Sequence, residues 1–268
     1  MSREPETKAV ILRTISGVSR FHTVESVATT GSTNADVAAL ARGGAAEGYV
    51  LVSDEQTAGR GRRTRTWASP AGGSVAMSVL LRPGSAAEGW GWLSLLAGMA
   101  VTRGLRTLTG AGPRISLKWP NDVLIDGLKV CGILSECIES PQGPAAVVGI
   151  GINLALTREQ LPVPHATSLA LAGLPQERDA VVTAVLAALD RLYGEWIHTG
   201  PPVPEYRELC ASIGAPLTIT VSEDECFSGV GVGIDRQGRL VVDIAGQRRA
   251  FAVGDVVHAR LGQPAGGA

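Results

Sequence analysis

The sequence is poor in aromatic residues and cysteines, and neither sign of charge dominates it. Aromatic residues make up 4% of its 268 residues, and 24 Lys and Arg balance 25 Asp and Glu. A protein that binds nucleic acid through general charge carries a basic excess, so the balance argues against that class. The four cysteines have no Cys-x-x-Cys spacing and the four histidines no metal-ligand spacing. A metal cage built from side chains is therefore not expected.

Long apolar runs are also missing. The run through Leu93 to Val101 is among the longest, yet it contains Ser and Gly and ends at Arg103. A membrane-spanning helix needs about 20 consecutive apolar residues, so none is expected. The charged first residues, Met1 to Lys8, lack the apolar stretch of a signal peptide. These absences predict a cytoplasmic protein that does not bind membranes.

The apolar pattern predicts a first domain of mixed helix and strand. Apolar residues at helical spacing predict three helices, over Asn34–Arg42, Trp90–Leu108 and Arg178–Thr199. Short apolar runs predict strands over Tyr49–Val52, Val75–Leu81, Ile115–Trp119, Val123–Ile125, Leu128–Cys137 and Ala145–Ile152. The dipeptide Asp126-Gly127 is typical of a tight hairpin turn. We expect an α+β fold in which a mixed or antiparallel sheet is flanked by helices, the first two on one face.

The residues after the third helix predict a second, smaller domain. Pro201, Pro202 and Pro204 mark a joint, and a short helix near Glu205–Ser212 follows. Four or five short strands in the next roughly fifty residues are typical of a small barrel of SH3 type. The predicted organisation is an N-terminal segment (1–24), a larger domain that holds the chemistry (25–200) and a C-terminal β-barrel (213–262).

Residues 56–67, with the sequence QTAGRGRRTRTW, alternate glycine with arginine. One arginine guanidinium can bind two oxygens of a carboxylate or phosphate at once, and glycine lets the backbone approach a ligand closely. The chain has neither the P-loop motif nor GxGxxG after a strand, so a nucleotide would need another scaffold. The basic residues alone are equally compatible with a solvated surface loop. If the loop binds an anion, its charge predicts disorder when empty and ordering over the ligand.

Two more polar clusters accompany the predicted strands. Lys118-Trp119-Pro120-Asn121-Asp122 follows one strand and is either a polar turn or the wall of a ligand site. Gly132, Gly149 and Gly151 lie within strands that glycine would weaken, which suggests that something packs closely on them. A small flat ligand would explain the glycines, and a bulge or tight helix packing is the alternative. No Ser-His-Asp or Cys-His arrangement is evident. We therefore expect catalysis by positioning and charge stabilisation, without covalent attachment to the enzyme.

Together these segments resemble the biotin protein ligase family, over about residues 25 to 260. The matching segments, in order, are Gly31–Asn34, Gly59–Trp67, Lys118–Val123, Lys129–Glu136 and Gly149–Asn153. Each is modest alone, but five in order at suitable spacings are specific. The resemblance implies a catalytic domain like that of class II synthetases and lipoate ligases, followed by an SH3-like domain.

The resemblance also implies the reaction. ATP activates biotin as biotinyl-5'-AMP with release of pyrophosphate. Biotin then passes to a lysine of the biotin carboxyl carrier protein or domain of an acyl-CoA carboxylase, and AMP is released. Mg²⁺ is expected to bind through ATP and not at a fixed protein site. A lipoate ligase or octanoyl transferase on the same scaffold is the nearest alternative, and a nucleic-acid-binding module is another. Few residues precede Ser32, so the DNA-binding domain and repressor role of some members are not expected.

Residue roles follow from the resemblance in three sets. The biotin-binding set is Ser32, Thr33, Asn34, Gln56, Arg60, Gly61, Arg62, Lys118 and Gly132. The set that binds ATP or the adenylate is Arg60, Arg62, Arg65, Trp67, Asn121, Lys129 and Asn153. The catalytic set is Arg62, Lys118, Asp122 and Lys129, with Asp122 orienting or deprotonating the acceptor lysine. One departure is Thr64, where the family usually has glycine, so a left-handed backbone there would be disfavoured.

Overall fold

The computed structural model describes residues 19–62, 65–67, 69–84, 89–252 and 254–258. Its first sheet has seven strands: β1 Thr23–Thr30, β2 Tyr49–Gln56, β3 Ser74–Leu81, β4 Ile115–Lys118, β5 Asp122–Ile125, β6 Leu128–Ile138 and β7 Ala145–Asn153. Their order across the sheet is β1-β2-β3-β7-β6-β5-β4. Only the β1–β2 pair is parallel, and the other neighbours are antiparallel. The predicted mixed sheet is confirmed.

The helices lie on both faces of this sheet. They are α1 Thr33–Arg42, α2 Gly91–Thr109, α3 Arg178–Thr199 and α4 Val203–Leu209. α1 buries Val37 against Leu51 and Leu80. α2 and α3 pack with Val50 and Val79, whose side chains point the other way because successive residues of a strand alternate between faces. The expectation that the first two helices share one face is therefore wrong.

The strand β1, which the pattern did not reveal, explains the position of α1. Parallel neighbours need a crossover connection, and α1 supplies it between β1 and β2. Thr29 and Thr30 end the strand, and the helix begins at Thr33. Ser32 caps the helix, and its hydroxyl accepts a hydrogen bond from the Ala35 amide at 3.4 Å.

The hairpin of β5 and β6 turns at Asp126 and Gly127, as predicted. Both have positive φ, 50° and 79°, which is the backbone of the tight hairpin turn that this dipeptide favours. The resulting register places Asp122 opposite Gly132, while the β4–β5 pairing places Asp122 opposite Lys118. Two of the predicted polar segments thus meet at one end of the sheet.

The C-terminal domain is a five-stranded antiparallel sheet of SH3-like type, as predicted. Its strands are β8 Pro216–Thr220, β9 Cys226–Ile234, β10 Leu240–Ile244, β11 Gln247–Phe251 and β12 Asp255–His258. The domain packs on the first through buried Trp119, whose indole N–H donates to the Gly238 carbonyl at 3.0 Å. Within the described ranges, no helix is long and apolar enough to cross a bilayer.

Candidate active site

A cavity of about 740 Å³ lies on the α1 side of the sheet, and β12 of the C-terminal domain forms part of its wall. Its floor is the middle of the sheet, and the arginine-rich loop between β2 and β3 covers part of it. All of the residues predicted to bind biotin, to bind ATP or to act in catalysis line this one cavity. Segments far apart in the chain are thereby brought together, while the role of each residue remains a prediction.

The inner wall of the cavity is a hydrogen-bonded set of polar side chains. The Gln56 side-chain oxygen accepts from the Thr33 amide at 2.8 Å and from the Thr33 hydroxyl at 3.0 Å. The Ser78 hydroxyl lies 2.7 Å from the Thr33 hydroxyl and 2.6 Å from the Asn34 side-chain oxygen. Thr33, Asn34 and Ser78 are buried, so their mutual bonds satisfy groups that water cannot reach. The wall is rigid and both donates and accepts hydrogen bonds.

Protein side chains lie directly on the strand glycines. A β-carbon at position 151 would lie 2.5 Å from the Trp67 indole, and one at 132 would lie 2.8 Å from the same ring. A β-carbon at Gly149 would overlap the Asn34 amide. The predicted close packing is confirmed, with protein as the occupant in these three places. The Trp67 indole N–H is buried and has no hydrogen-bond partner among the described residues.

The arginine loop doubles back on itself. The Trp67 amide donates to the Gly59 carbonyl at 2.9 Å, and the Gly61 amide donates to the Arg65 carbonyl at 2.7 Å. Arg63, Thr64 and Ala68 lie outside the described residues, so the departure at Thr64 remains an expectation. The ordering of this loop on a ligand also stays a prediction.

Two arginines of the loop reach toward the C-terminal domain. Arg62 donates to the Asn121 side-chain oxygen at 3.2 Å and to the Gly254 carbonyl at 3.4 Å. Arg65 forms an ion pair with Asp255 at the start of β12. On the inner side, Asn121 donates to the Ile133 carbonyl at 2.6 Å, which fixes its side chain. The guanidinium of Arg62 is therefore held above the sheet by both domains.

Two lysines share one carboxylate at the end of the sheet. The Lys129 ammonium lies 2.6 Å from one Asp122 oxygen, and the Lys118 ammonium lies 3.8 Å from the other. Burial lowers the pKa of Lys118, Asp122 opposes that shift, and Lys129 adds to it. Lys129 also lies 5.7 Å from the centre of the Trp67 ring. Since two cations face one anion, this end of the cavity favours a negatively charged ligand.

The site includes residues that the sequence did not single out. Those that line the cavity are Ala76 on β3, Pro162, Val163, His165 and Ala166 of the connection after β7, and residues 255–257 on β12, while Ser78 on β3 bonds to the lining residue Thr33. A signal for β3 existed, because Ser74, Ala76 and Ser78 are small residues at every second position of an otherwise apolar strand. Nothing in the sequence shows that β12 would reach this cavity.

Comparisons with known proteins give a consistent result. The chain matches the model described as the biotin/lipoate A/B protein ligase family over residues 28–153, and the biotin protein ligase C terminal domain over residues 212–259. The biotin–[acetyl-CoA-carboxylase] ligase of Mycobacterium tuberculosis is 38% identical over 90% of this chain and 91% of its own length. The bifunctional ligase/repressor BirA of Bacillus subtilis is 36% identical, over 76% of this chain and 64% of its own length. A structure of the biotin protein ligase from Aquifex aeolicus in complex with biotin and ATP has a TM-score of 0.75 and 25% identity, covering 88% of this chain and 98% of that one.

Proposed function

The chain belongs to the biotin/lipoate A/B protein ligase family, and from this membership we propose that it is an ATP-dependent biotin protein ligase. It activates biotin as biotinyl-5'-AMP, releasing pyrophosphate, and transfers biotin to a lysine of a carrier protein, releasing AMP. One observation carries the proposal: a single cavity joins a neutral hydrogen-bonding wall to a cluster of cations. Biotin has the same polarity, with a neutral ureido ring at one end and a carboxylate at the other.

We assign the ureido end of biotin to the inner wall. Ser32 and Thr33 at the start of α1 supply hydroxyl and amide groups, and Gln56 at the end of β2 supplies a side-chain carbonyl. Asn34 supports this wall, because its amide already bonds to Ser78 and to the Leu134 carbonyl at 3.2 Å. Neutral donors and acceptors that are fixed before binding select a ring carrying the complementary groups.

We assign the first chemical step to the cationic end. One oxygen of the biotin carboxylate attacks the α-phosphorus of ATP, and the bond to pyrophosphate breaks. Arg62 and Lys118 stabilise the negative charge that grows around the α-phosphorus, and Lys129 binds the phosphates. Arg60 and Gly61 close the loop over the carboxylate. The product is a mixed anhydride, which the covering loop shields from water.

We place the adenosine of the nucleotide beside Trp67, with Arg65, Asn121 and Asn153 around it. The Trp67 ring provides a flat apolar surface for the base. Asn153 is buried and donates to the Thr167 carbonyl at 2.9 Å, so its contribution is to hold the neighbouring connection in place.

The second step is assigned to Asp122. The neutral amine of the acceptor lysine attacks the acyl carbon, an amide bond forms, and AMP leaves with the bonding electrons. The Asp122 carboxylate accepts the proton that the amine loses. Lys118 and Lys129 beside it hold the carboxylate in position at this end of the cavity.

Mg²⁺ is assigned to the substrate as its ATP complex. The cavity offers the carboxylates Asp122 and Asp255, and both already face cations. Among the described residues no group of three or more His, Cys, Asp or Glu side chains is placed to hold a metal ion. The donor set therefore does not fit a resident metal, whereas ATP phosphates bring their own magnesium.

A carboxylase carrier is the proposed acceptor, as the name of the Mycobacterium tuberculosis relative implies. Pyrophosphate release is measured with ATP, Mg²⁺ and either biotin, lipoate or octanoate. Label transfer is then followed to a biotin carboxyl carrier domain and to its variant with the acceptor lysine replaced by arginine. We expect turnover with biotin and transfer only to the unaltered carrier. Absence of pyrophosphate release with biotin would refute the proposal, and turnover with lipoate alone would favour the lipoate ligase.

Arg62 provides a residue-level test. The variant Arg62→Ala is expected to slow adenylation about a hundredfold or more while leaving the Tm within a few degrees, since the side chain stabilises charge at the reacting phosphate and lies outside the core. Stopped-flow pyrophosphate detection and thermal melting measure the two effects. An unchanged adenylation rate would remove Arg62 from the catalytic set.

A further inference from the structure

Glu136 near the end of β6 has no role in the reaction described above, yet one of its oxygens joins the arginine loop to the inner wall. This Oε2 atom accepts from the Arg60 guanidinium at 2.9 Å and from the Asn34 side-chain amide at 2.7 Å. Arg60 is half-exposed, whereas Asn34 is buried. A single carboxylate oxygen therefore bonds one group that is half-exposed and one that is buried.

The fixed partner is held from several directions. The Asn34 oxygen bonds to Ser78, its nitrogen also bonds to the Leu134 carbonyl, and Gly149 leaves room for the amide only because it lacks a β-carbon. A side chain so constrained has one orientation. Its N–H consequently holds the Glu136 carboxylate in place whether or not the loop is closed.

These bonds continue into a closed path, which we call the polar ring. It consists of Arg60, Glu136, Asn34, Ser78, Thr33 and Gln56. The path closes through the backbone, because Gln56 lies at the end of β2 and the arginine loop follows directly. The groups assigned to the biotin ring and the loop assigned to the biotin carboxylate are thus parts of one hydrogen-bonded unit.

The other side of the loop is attached elsewhere. Arg62 and Arg65 reach Asn121, Gly254 and Asp255, on the far side of the cavity. The loop therefore spans the cavity between two attachments. Glu136 is the carboxylate at the attachment nearer the inner wall.

We propose that Glu136 is a positioning residue, which holds Arg60 in register with the inner wall so that the loop is ready to close over biotin. The proposal rests on the biotin ligase function. The proposed role depends on the negative charge of Glu136. A carboxylate oxygen accepts a strong hydrogen bond from a guanidinium, whereas a neutral amide oxygen accepts a weaker one. The binding of biotin should depend on this contact, while the chemistry at the phosphate should not.

The test is a double-mutant cycle of Glu136→Gln and Arg60→Ala in the full-length protein. The glutamine keeps an oxygen for Asn34 and removes the charge that Arg60 faces. We expect Glu136→Gln to raise the KM for biotin about threefold to tenfold, with kcat changed by less than about twofold, as for loss of a partly exposed charged contact. In the Arg60→Ala background the same change should have little further effect, because its partner is already gone.

Two measurements keep the result interpretable. In the Glu136→Gln variant, the Kd for biotin measured by calorimetry without ATP must rise by about the same factor as the KM for biotin. Its Tm must stay within about 2 °C of that of the wild type. Glu195→Gln is the matched control, since it breaks an exposed arginine–glutamate pair on α3 with Arg191, and it should change neither constant. Additive effects of the two variants, or a fall in kcat without a change in KM, would overturn the proposal. A wild-type protein that releases no pyrophosphate with biotin would instead refute the ligase function itself.

Discussion

A methyl group added at Gly151 tests whether the Trp67 ring is positioned by the glycines beneath it. In the wild type the backbone of β7 lies directly under the indole, and a β-carbon at position 151 would lie 2.5 Å from two ring atoms. Carbon atoms pack at about 3.5 to 4.0 Å, so the ring must move outward by about 1 Å. Trp67 lies on the arginine loop at the edge of the cavity, whereas β7 is in the middle of the sheet.

The magnitude follows from where the strain is released. Inserting a methyl group into a packed site costs about 1–3 kcal/mol. Because the ring is able to yield, we expect most of that energy to appear as weaker nucleotide binding and little as lost stability. A loss of about 1–3 kcal/mol corresponds to a rise of roughly 5- to 150-fold in the KM for ATP. Initial rates of pyrophosphate release, with ATP and biotin varied in turn, measure it.

Two other glycines provide matched comparisons. Gly233→Ala on β9 introduces a methyl group with no atom within 4 Å, so it reports the effect of alanine in a strand without a clash. Gly149→Ala drives its methyl group into the immobile Asn34 amide, and we expect it to lower the Tm. If Gly151→Ala behaves like Gly233→Ala, or raises the KM for biotin and not for ATP, the assignment of the Trp67 ring to the nucleotide is wrong.

Three further predictions concern titratable groups of the site. Asp122→Asn should slow transfer to the carrier lysine about a hundredfold or more, and more than it slows adenylation, because it removes the proton acceptor; equal slowing of both steps would contradict this. Burial lowers the pKa of Lys118 from its usual value of 10.5, so its charged form costs stability at pH 7. Lys118→Met should therefore raise the Tm at pH 7 while slowing adenylation about a hundredfold. The gain in Tm should shrink as the pH approaches 10.5, because the unfolded chain then also loses the proton. A Tm at pH 7 lower than that of the wild type would refute the prediction. Burial and Lys118 lower the pKa of His258 below 6.5. As the pH falls through 6.5 the unfolded chain takes up a proton that the folded imidazole resists, so the wild type loses stability there, and His258→Gln should lose less; melting curves with the same pH dependence would contradict this.

The elements with a clear apolar period were predictable from the sequence. The predicted bounds of α3 agree with those observed, Arg178–Thr199, and those of α2 differ by one residue at each end. β1 was not predictable in this way, because its buried residues do not alternate with exposed ones. It is an edge strand, and both of its faces are partly exposed. An amphipathic pattern also shows that a helix has a buried face but not which side of the sheet it covers, so the placement of α1 was wrong.

The identity of most site residues was predictable from the sequence, but their positions relative to one another were not. Five short segments, recognised together by their resemblance to the family, contain nearly all of the residues predicted for the site, and those residues line the cavity. The contribution of β12 was missed because Asp255–His258 has no unusual composition, and only the packing of the C-terminal domain brings Asp255 to Arg65. Glu136 lay inside a recognised segment, but its two partners are distant in sequence, and only the packing of α1 and the arginine loop over β6 brings them to it.

The alternation of side chains along the central strands explains how one sheet supplies both a core and a site. On β3, Val75 and Met77 point to the core under α2 and α3, while Ala76 and Ser78 point to the cavity. Small residues on one face open a space above the sheet, and large residues on the other face make its floor rigid. Groups mounted on such a floor need little reorganisation when charge develops, which suits an enzyme without a covalent nucleophile. The parts left to move are those attached at the rim, namely the arginine loop and its contacts with β12, and we therefore expect substrate-dependent changes to be confined to them.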